Sequence, residues 1–183
     1  MPELLSRSRP FTGRIVAVRL DELRREDGHI FHQEVIEHRE SMTVVALDDE
    51  ARILLVRQYR HPTGESLLET PAGSVDPGET PEASVNRELA EETGLSARDV
   101  CHLGSFYLAP GWCNEYMHVY LARDLYPAAA EPDEDEQIEV VWLPIPEWEA
   151  LIARAEVRDA KSIAAWHLAK ARLGREAQAI QTA

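Results

Sequence analysis

Residues 73–95 constrain the fold of this 183-residue chain more than any other segment. Both ends of a helix are marked there, because Thr80 is a good N-cap, Pro81 suits the first helical position and Gly94 is a typical stop. A loop that starts at Gly73 comes directly before the helix. The segment therefore predicts a tight loop followed by a helix of about three and a half turns.

Three glutamates fall on one face of the predicted helix. Glu88, Glu91 and Glu92 have the spacing i, i+3 and i+4. Like charges at these spacings cost an isolated helix about 0.2–0.5 kcal/mol per pair, so the cluster makes sense where a positive group occupies it. The alternative is a solvated helix face shared with Arg87. Oxygen ligands without histidine or cysteine favour Mg²⁺ or Mn²⁺ over zinc.

Composition bounds the class of protein. The length predicts a single domain over residues 1–183, and the net charge of −14 argues against general affinity for nucleic acid or an anionic membrane. No apolar run approaches the roughly 20 residues that cross a bilayer. The chain has only two cysteines and its start lacks the apolar stretch of a secretory signal, which together predict the cytoplasm.

The pattern of apolar residues predicts an α/β fold, in which a mixed β-sheet is sandwiched between helices and an antiparallel strand region comes first. Strands are predicted before and after the marked helix, over residues 14–20, 30–38, 42–47, 53–58, 102–108, 116–121 and 138–143. Two more helices are predicted over 147–155 and 160–173, the second between Asp159 as cap and Gly174 as stop.

The 73–95 segment resembles the Nudix box, the signature of the Nudix hydrolases. Every fixed position of that pattern is filled, by Gly73, Glu79, Arg87, Glu88, Leu89, Glu91, Glu92, Gly94 and Leu95. These nine specified positions at fixed spacing make chance a poor explanation. Members of the family hydrolyse a nucleoside diphosphate linked to another group, with divalent cations held by this helix. The resemblance thus implies the Nudix fold and a Mg²⁺- or Mn²⁺-dependent hydrolase.

The resemblance also implies roles for residues of the box. Glu88 and Glu92 are expected to be the principal metal ligands. Glu91 assists directly or through water, and the carbonyl of Ala72 is a further ligand. Glu91 and Glu92 are counted as catalytic through the metal. The resemblance gives Gly73, Glu79 and Arg87 supporting roles, with a salt bridge from Glu79 to Arg87 that ties the loop to the helix.

A second acidic cluster occupies residues 131–136. Taken alone, such a run favours an exposed acidic loop. It is similar to the loop that supplies a general base in the ADP-ribose pyrophosphatase branch of the family. Glu134 matches the base and Glu136 matches a glutamate that can reach a metal, but the neighbouring carboxylates leave the choice between them open.

Further motifs resemble the same branch. Pro110, fifteen residues past Leu95, matches a marker proline, and the substrate-binding residues implied with it are Arg60, Glu69, Gly111 and Glu115. Arginine suits a diphosphate because its fork donates two parallel hydrogen bonds. For Glu69 and Glu115 a structural role is equally open. Residues 159–161 resemble a C-terminal element of the family that is interpreted as structural.

The resemblance implies hydrolysis of ADP-ribose, a small nucleotide-sugar substrate, to AMP and ribose 5-phosphate. It also implies a homodimer in which residues 1–40 take part in dimerisation and residues 41–173 form the catalytic core. The nearest rival is another nucleoside diphosphate sugar such as GDP-mannose. A nucleotide-binding sensor without turnover is a rival of a different class, although no box glutamate is lost. RNA decapping is disfavoured, because it needs a basic RNA-binding surface and the chain has only 19 Lys and Arg against 33 Asp and Glu.

Overall fold

The computed structural model describes residues 1–130 and 137–181. It divides into two compact units. The first comprises Met1–Glu40 and Phe106–Met117, and the second comprises Ser41–Ser105 and His118–Ala183. The N-terminal strands and the Nudix box thus belong to different units.

The first unit contains a three-stranded antiparallel sheet in the order β1-β2-β3, formed by β1 (Glu3–Thr12), β2 (Ala17–Arg24) and β3 (Ile30–Glu37). Strand β1 was not predicted, since almost all of its residues are exposed and it lacks the alternation that marks a half-buried strand. Cross-strand ion pairs accompany its pairing with β2, from Arg7 to Asp21 at 2.8 Å and from Arg24 to Glu3 at 2.7 Å.

The second unit is organised around a seven-stranded sheet. Its main order is β10-β5-β4-β9-β8, with β6 beside β5 and β7 beside β4. The strands are β4 (Ser41–Leu47), β5 (Arg52–Arg60), β6 (Glu65–Glu69), β7 (Ala72–Ser74), β8 (Leu95–Tyr107), β9 (Tyr116–Pro127) and β10 (Ile138–Pro144). Every predicted strand is present, although β8 begins seven residues earlier than expected. The short strands β6 and β7 were not predicted.

Among the residues that the structure describes, three helices belong to this unit, namely α1 (Pro81–Thr93), α2 (Ile145–Ala153) and α3 (Ala160–Gln181). The predicted end of α3 at Gly174 was wrong, since the helix continues for seven more residues. A helical glycine costs only about 1 kcal/mol relative to alanine. Past it, Glu176 accepts hydrogen bonds from Arg172 and from Arg123, each at 2.6 Å, which favours the longer helix. None of the helices among the described residues has the length and apolar character to cross a membrane.

The core of the second unit fixes how α1 lies on the sheet. All seven residues of β4 are buried, so both faces of this central strand are covered. Val85 and Leu89 of α1 are completely buried in a cluster with Met42, Val44 and Leu54 of the sheet. Burying a side chain of this size contributes about 1.5–3 kcal/mol. The burial of Val85 and Leu89 therefore fixes the rotation of α1 about its axis, and with it the direction in which the glutamates project.

Candidate active site

Helix α1 begins and ends where the sequence predicts. The Thr80 hydroxyl accepts a hydrogen bond from the Ala83 N–H at 3.2 Å, and Pro81 occupies the first turn. Gly94 ends the helix with a φ of 70°, in the left-handed region that glycine adopts without steric cost. Both boundaries of the helix that carries the glutamates are thus set by local chemistry.

Glu88, Glu91 and Glu92 of α1 do not form a solvated face. The side chains of Glu88 and Glu91 are only 12% and 28% exposed, and Glu92 is buried. Partly buried carboxylates at i, i+3 and i+4 need positive partners, because each ion loses hydration without one. The surface alternative considered for this cluster therefore does not describe it.

Arg87 is the positive partner that the structure shows. Its Nη1 donates to Glu88 Oε1 at 2.8 Å and to Glu91 Oε2 at 3.0 Å. On the other side, Nη2 donates to Glu79 Oε2 and to the Ser74 carbonyl, both at 2.9 Å. One guanidinium therefore joins the loop before the helix to two of the three glutamates.

The charges of the Arg87 cluster shift its proton equilibria. The hydrogen bond from Arg87 lowers the pKa of Glu79, assisted by the Asp76 N–H, which donates to the same carboxylate at 3.3 Å. The same hydrogen bond to Glu79, together with Glu88, raises the pKa of Arg87. The arginine therefore stays charged and the Glu79 carboxylate stays ionised at neutral pH.

The third glutamate reaches strand β7. Glu92 Oε2 accepts a hydrogen bond from the backbone N–H of Ala72 at 3.2 Å. The next residue, Gly73, lies against the Glu88 carboxylate so closely that a Cβ built there would overlap it. Because the φ of Gly73 is not positive, glycine is needed for space rather than for backbone conformation. The structure thus brings Ala72 into contact with Glu92 and Gly73 into contact with Glu88.

A second ionic cluster lies at the end of β6. Glu69 is 1% exposed, and Arg60 donates to both of its oxygens, from Nε at 2.9 Å and from Nη2 at 2.8 Å. Lys161 of α3 donates to the same carboxylate. Burial raises the pKa of Glu69, but the hydrogen bonds and charges of Arg60 and Lys161 outweigh burial, so the net pKa is lowered.

Lys161 was not predicted as a site residue. The only sequence signal for it was the family-like run at residues 159–161, which was interpreted as structural. Its 92-residue separation from Glu69 hides the contact from any local pattern. Only the packing of α3 on the sheet makes the pair.

The remaining substrate-binding candidates belong to the first unit. The Gly111 carbonyl accepts from the Gln33 side chain at 3.2 Å, and Glu115 lies 3.8 Å from the His38 ring. Pro110 lies in the same short connection. The predicted base Glu134 and the alternative Glu136 lie outside the described residues, so the choice between them stays a prediction.

Within the described residues, no three His, Cys, Asp or Glu side chains are grouped to hold a metal ion. Of the three predicted ligands on α1, Glu88 and Glu91 contact Arg87, and Glu92 contacts a backbone N–H. The donor chemistry still fits a hard cation, because the three carboxylates of Glu88, Glu91 and Glu92 lie on one helix and supply only oxygen donors. The predicted ligand set therefore stays a hypothesis.

Comparison with known proteins agrees with these observations. The family model described as the NUDIX domain matches residues 37–166. The chain therefore belongs to the Nudix family. The class predicted from residues 73–95, a Nudix hydrolase with an α/β fold, is confirmed.

Individual relatives are similar over most of their length. The ADP-ribose pyrophosphatase of Bacillus subtilis (strain 168) is 33% identical over 160 residues, which cover 86% of each chain. The GDP-mannose pyrophosphatase of Citrobacter koseri is 35% identical over 154 residues, which cover 78% of this chain and 80% of that one. A crystal structure of an ADP compounds hydrolase matches with a TM-score of 0.87 at 28% identity, covering 96% of this chain and 95% of that one. The resemblance to the ADP-ribose pyrophosphatase branch is thus confirmed.

Proposed function

We propose that this protein is a divalent-cation-dependent hydrolase that cleaves ADP-ribose to AMP and ribose 5-phosphate. The observation that carries the proposal is the Arg87 cluster, which gathers Glu79, Glu88 and Glu91 beside β7. It supports phosphoryl chemistry because such a reaction needs ordered carboxylates that can hold cations against a diphosphate. The substrate is proposed from the branch motifs and from the relative named ADP-ribose pyrophosphatase.

In this proposal, the oxygen of a water molecule bonds to one phosphorus of the diphosphate. The bond from that phosphorus to the bridging oxygen breaks, and the electron pair leaves with the other phosphate. When bound, a divalent cation neutralises phosphoryl oxygens and lowers the pKa of nearby water. Glu88, Glu91, Glu92 and the Ala72 carbonyl would hold it, and Mg²⁺ or Mn²⁺ suits such oxygen donors.

Other residues of the proposed site bind the substrate, accept a proton or hold the loop before α1. Glu69 accepts from Nε and Nη2 of Arg60 and so fixes the orientation of the guanidinium, whose other edge binds the diphosphate. Glu134 accepts the proton of the attacking water, with Glu136 as the alternative base. Arg87 and Glu79 keep the loop before α1 in place.

The test is product analysis with a panel of ADP-ribose, GDP-mannose, NADH, FAD and diadenosine polyphosphates, each with Mg²⁺, Mn²⁺ or EDTA. We expect AMP from ADP-ribose at the highest kcat/KM, with turnover abolished by EDTA and restored by added cation. The folded E92Q variant is the control, because a contaminating phosphatase would not respond to it. A protein that turns over none of these compounds contradicts the proposal and favours a sensor.

GDP-mannose is a second candidate substrate, favoured by the relative from Citrobacter koseri. The ADP-ribose pyrophosphatase and the GDP-mannose pyrophosphatase have similar sequence identity to this chain, 33% and 35%, so overall identity does not distinguish the two substrates. A higher kcat/KM for GDP-mannose than for ADP-ribose in the panel would keep the Nudix chemistry and replace the substrate.

We also propose a homodimer formed through residues 1–40. Its support is the set of large apolar side chains that are exposed on the three-stranded sheet, among them Leu4, Phe11, Leu20 and Ile30. Light scattering on the purified protein should give twice the mass of 20.6 kDa. A monomer at micromolar concentration would contradict the proposal.

The cytoplasm is the proposed location, supported by two cysteines that are both free thiols, and cell fractionation tests it.

A further inference from the structure

The Glu69 carboxylate lies between two cations that come from different elements. Arg60, on β5, contacts both carboxylate oxygens, and Lys161, in the first turn of α3, contacts Oε2. Lys161 is almost as enclosed as Glu69, since only 11% of its side chain is exposed. A lysine so enclosed gives up most of its hydration, and burial of that kind needs specific partners.

Lys161 has a second partner that fixes its position. Asp159 Oδ2 accepts a hydrogen bond from Lys161 Nζ at 2.9 Å, and also accepts from the Ser162 N–H at 3.1 Å as the cap of α3. The Ser162 hydroxyl in turn accepts from the N–H of Thr70 at 2.8 Å. The lysine is therefore held by the helix start, which is itself hydrogen-bonded to the residue after Glu69.

The charges of this cluster balance. Glu69 and Asp159 carry two negative charges, and Arg60 and Lys161 carry two positive charges. Without Lys161 the cluster would have a net negative charge directly behind Arg60. A negative cluster opposes the approach of a diphosphate, and a Glu69 paired with Arg60 alone cancels the charge of that guanidinium.

We propose that Lys161 is a positioning residue for diphosphate binding, which shares the Glu69 carboxylate with Arg60 and keeps the cluster from becoming net negative, so that Arg60 is oriented by the carboxylate and still attracts phosphate. The inference rests on the proposed function of Arg60 and extends it to a residue on a different element. It assigns Lys161 to substrate binding rather than to the chemical step.

The test compares K161M, K161Q and K161R with the wild type, by steady-state kinetics on the best substrate of the panel. K161M and K161Q should raise KM about tenfold, the effect of losing one charge-assisted interaction, with kcat within about twofold. K161R, which keeps the charge, should restore most of the affinity. K170M is the matched control, because Lys170 lies on the same helix in an exposed ion pair with Glu149 and should leave both constants unchanged.

A merely structural lysine would give a different result. Loss of packing alone would lower the unfolding temperature without a selective rise in KM, and K161R would not be expected to repair it. Circular dichroism checks that each variant is folded. Should K161M fail to fold, K161Q carries the test, since it removes the charge and keeps a polar group that can donate a hydrogen bond.

Binding of inorganic pyrophosphate in EDTA, measured by calorimetry, separates this inference from the proposed function. We expect the Kd of K161M and K161Q for pyrophosphate to rise about tenfold as well. A wild type that binds pyrophosphate without hydrolysing ADP-ribose overturns the proposed function, while the dependence of Kd on Lys161 still decides the inference. Three results would overturn the inference about Lys161. They are an unchanged KM and Kd in K161M, a fall confined to kcat, and a wild type that does not bind pyrophosphate.

Discussion

Replacing Gly73 by alanine tests the geometry of the box most directly. The added Cβ would lie well inside 3.0 Å of the Oε1, Cδ and Oε2 atoms of Glu88, whereas ordinary contacts begin at 3.4 Å. The carboxylate must therefore retreat by more than about 1 Å, or the strand must move. A displacement of about 1 Å in a catalytic arrangement costs on the order of 100-fold in rate.

The predicted effect of G73A on folding is smaller. The Glu88 side chain is 12% exposed and ends in a flexible carboxylate, so it can turn away from the new methyl group. Overpacking of this kind typically costs about 1–3 kcal/mol, which a folded domain of ordinary stability tolerates. We therefore expect a folded variant with kcat/KM lowered about 100-fold and with weaker apparent affinity for Mn²⁺.

The assays for G73A are ADP-ribose turnover over a range of Mn²⁺ concentrations and urea unfolding followed by circular dichroism. G174A is the matched control, since it makes the same substitution in α3, where a Cβ meets nothing within 4 Å. It should keep full activity and gain about 0.5–1 kcal/mol of stability. A folded G73A with wild-type turnover would show that the position of the Glu88 carboxylate does not matter for the reaction.

Four further predictions concern the carboxylates and the hydroxyl network. E92Q should lose most activity and much of its Mg²⁺ dependence while staying folded, and near-normal turnover by the folded variant would contradict the ligand assignment. E134Q should lower kcat with binding largely kept, whereas a more severe E136Q would exchange the two roles. S162A should lower the free energy of unfolding by about 1–3 kcal/mol, because it leaves the buried Thr70 N–H without its acceptor, and urea unfolding measures this. Because the pKa of Glu69 is lowered in the folded protein, its ionised carboxylate stabilises the fold at pH values above the ordinary pKa of 4.5. This contribution is lost as the pH falls through the folded pKa. On acidification below pH 4.5, E69Q should therefore lose less stability than the wild type.

Local signals were sufficient where the chain interacts with itself over a few residues. The cap at Thr80, the stop at Gly94 and the pairing of Val85 with Leu89 all lie within about four turns, and α1 has the predicted bounds. The same kind of signal failed at Gly174, because Glu176 in the next turn of α3 is held by Arg123 of β9, which is 53 positions away in the sequence. A local stop signal is overruled when tertiary contacts hold the next turn.

Strand β1 shows a second limit of local patterns. Its pairing places Arg7 opposite Asp21 and Glu3 opposite Arg24, which are charge matches between strands rather than apolar alternation within one strand. A period-2 search for buried residues does not detect such a strand. Alternation did mark β3, and β4 was marked by its continuous run of residues that are buried on both faces.

The sequence by itself determined the family, the loop and helix of the box, and the identity of the carboxylates on one helix face, because fixed spacing along a helix fixes which side chains are neighbours. Only the tertiary structure decided that Arg87 also donates to the Ser74 carbonyl, that Glu92 accepts from the Ala72 N–H, and that Lys161 contacts Glu69. Each of these contacts joins residues on different elements. Their existence depends on how the helices pack against the sheet, and no spacing within one element encodes that packing.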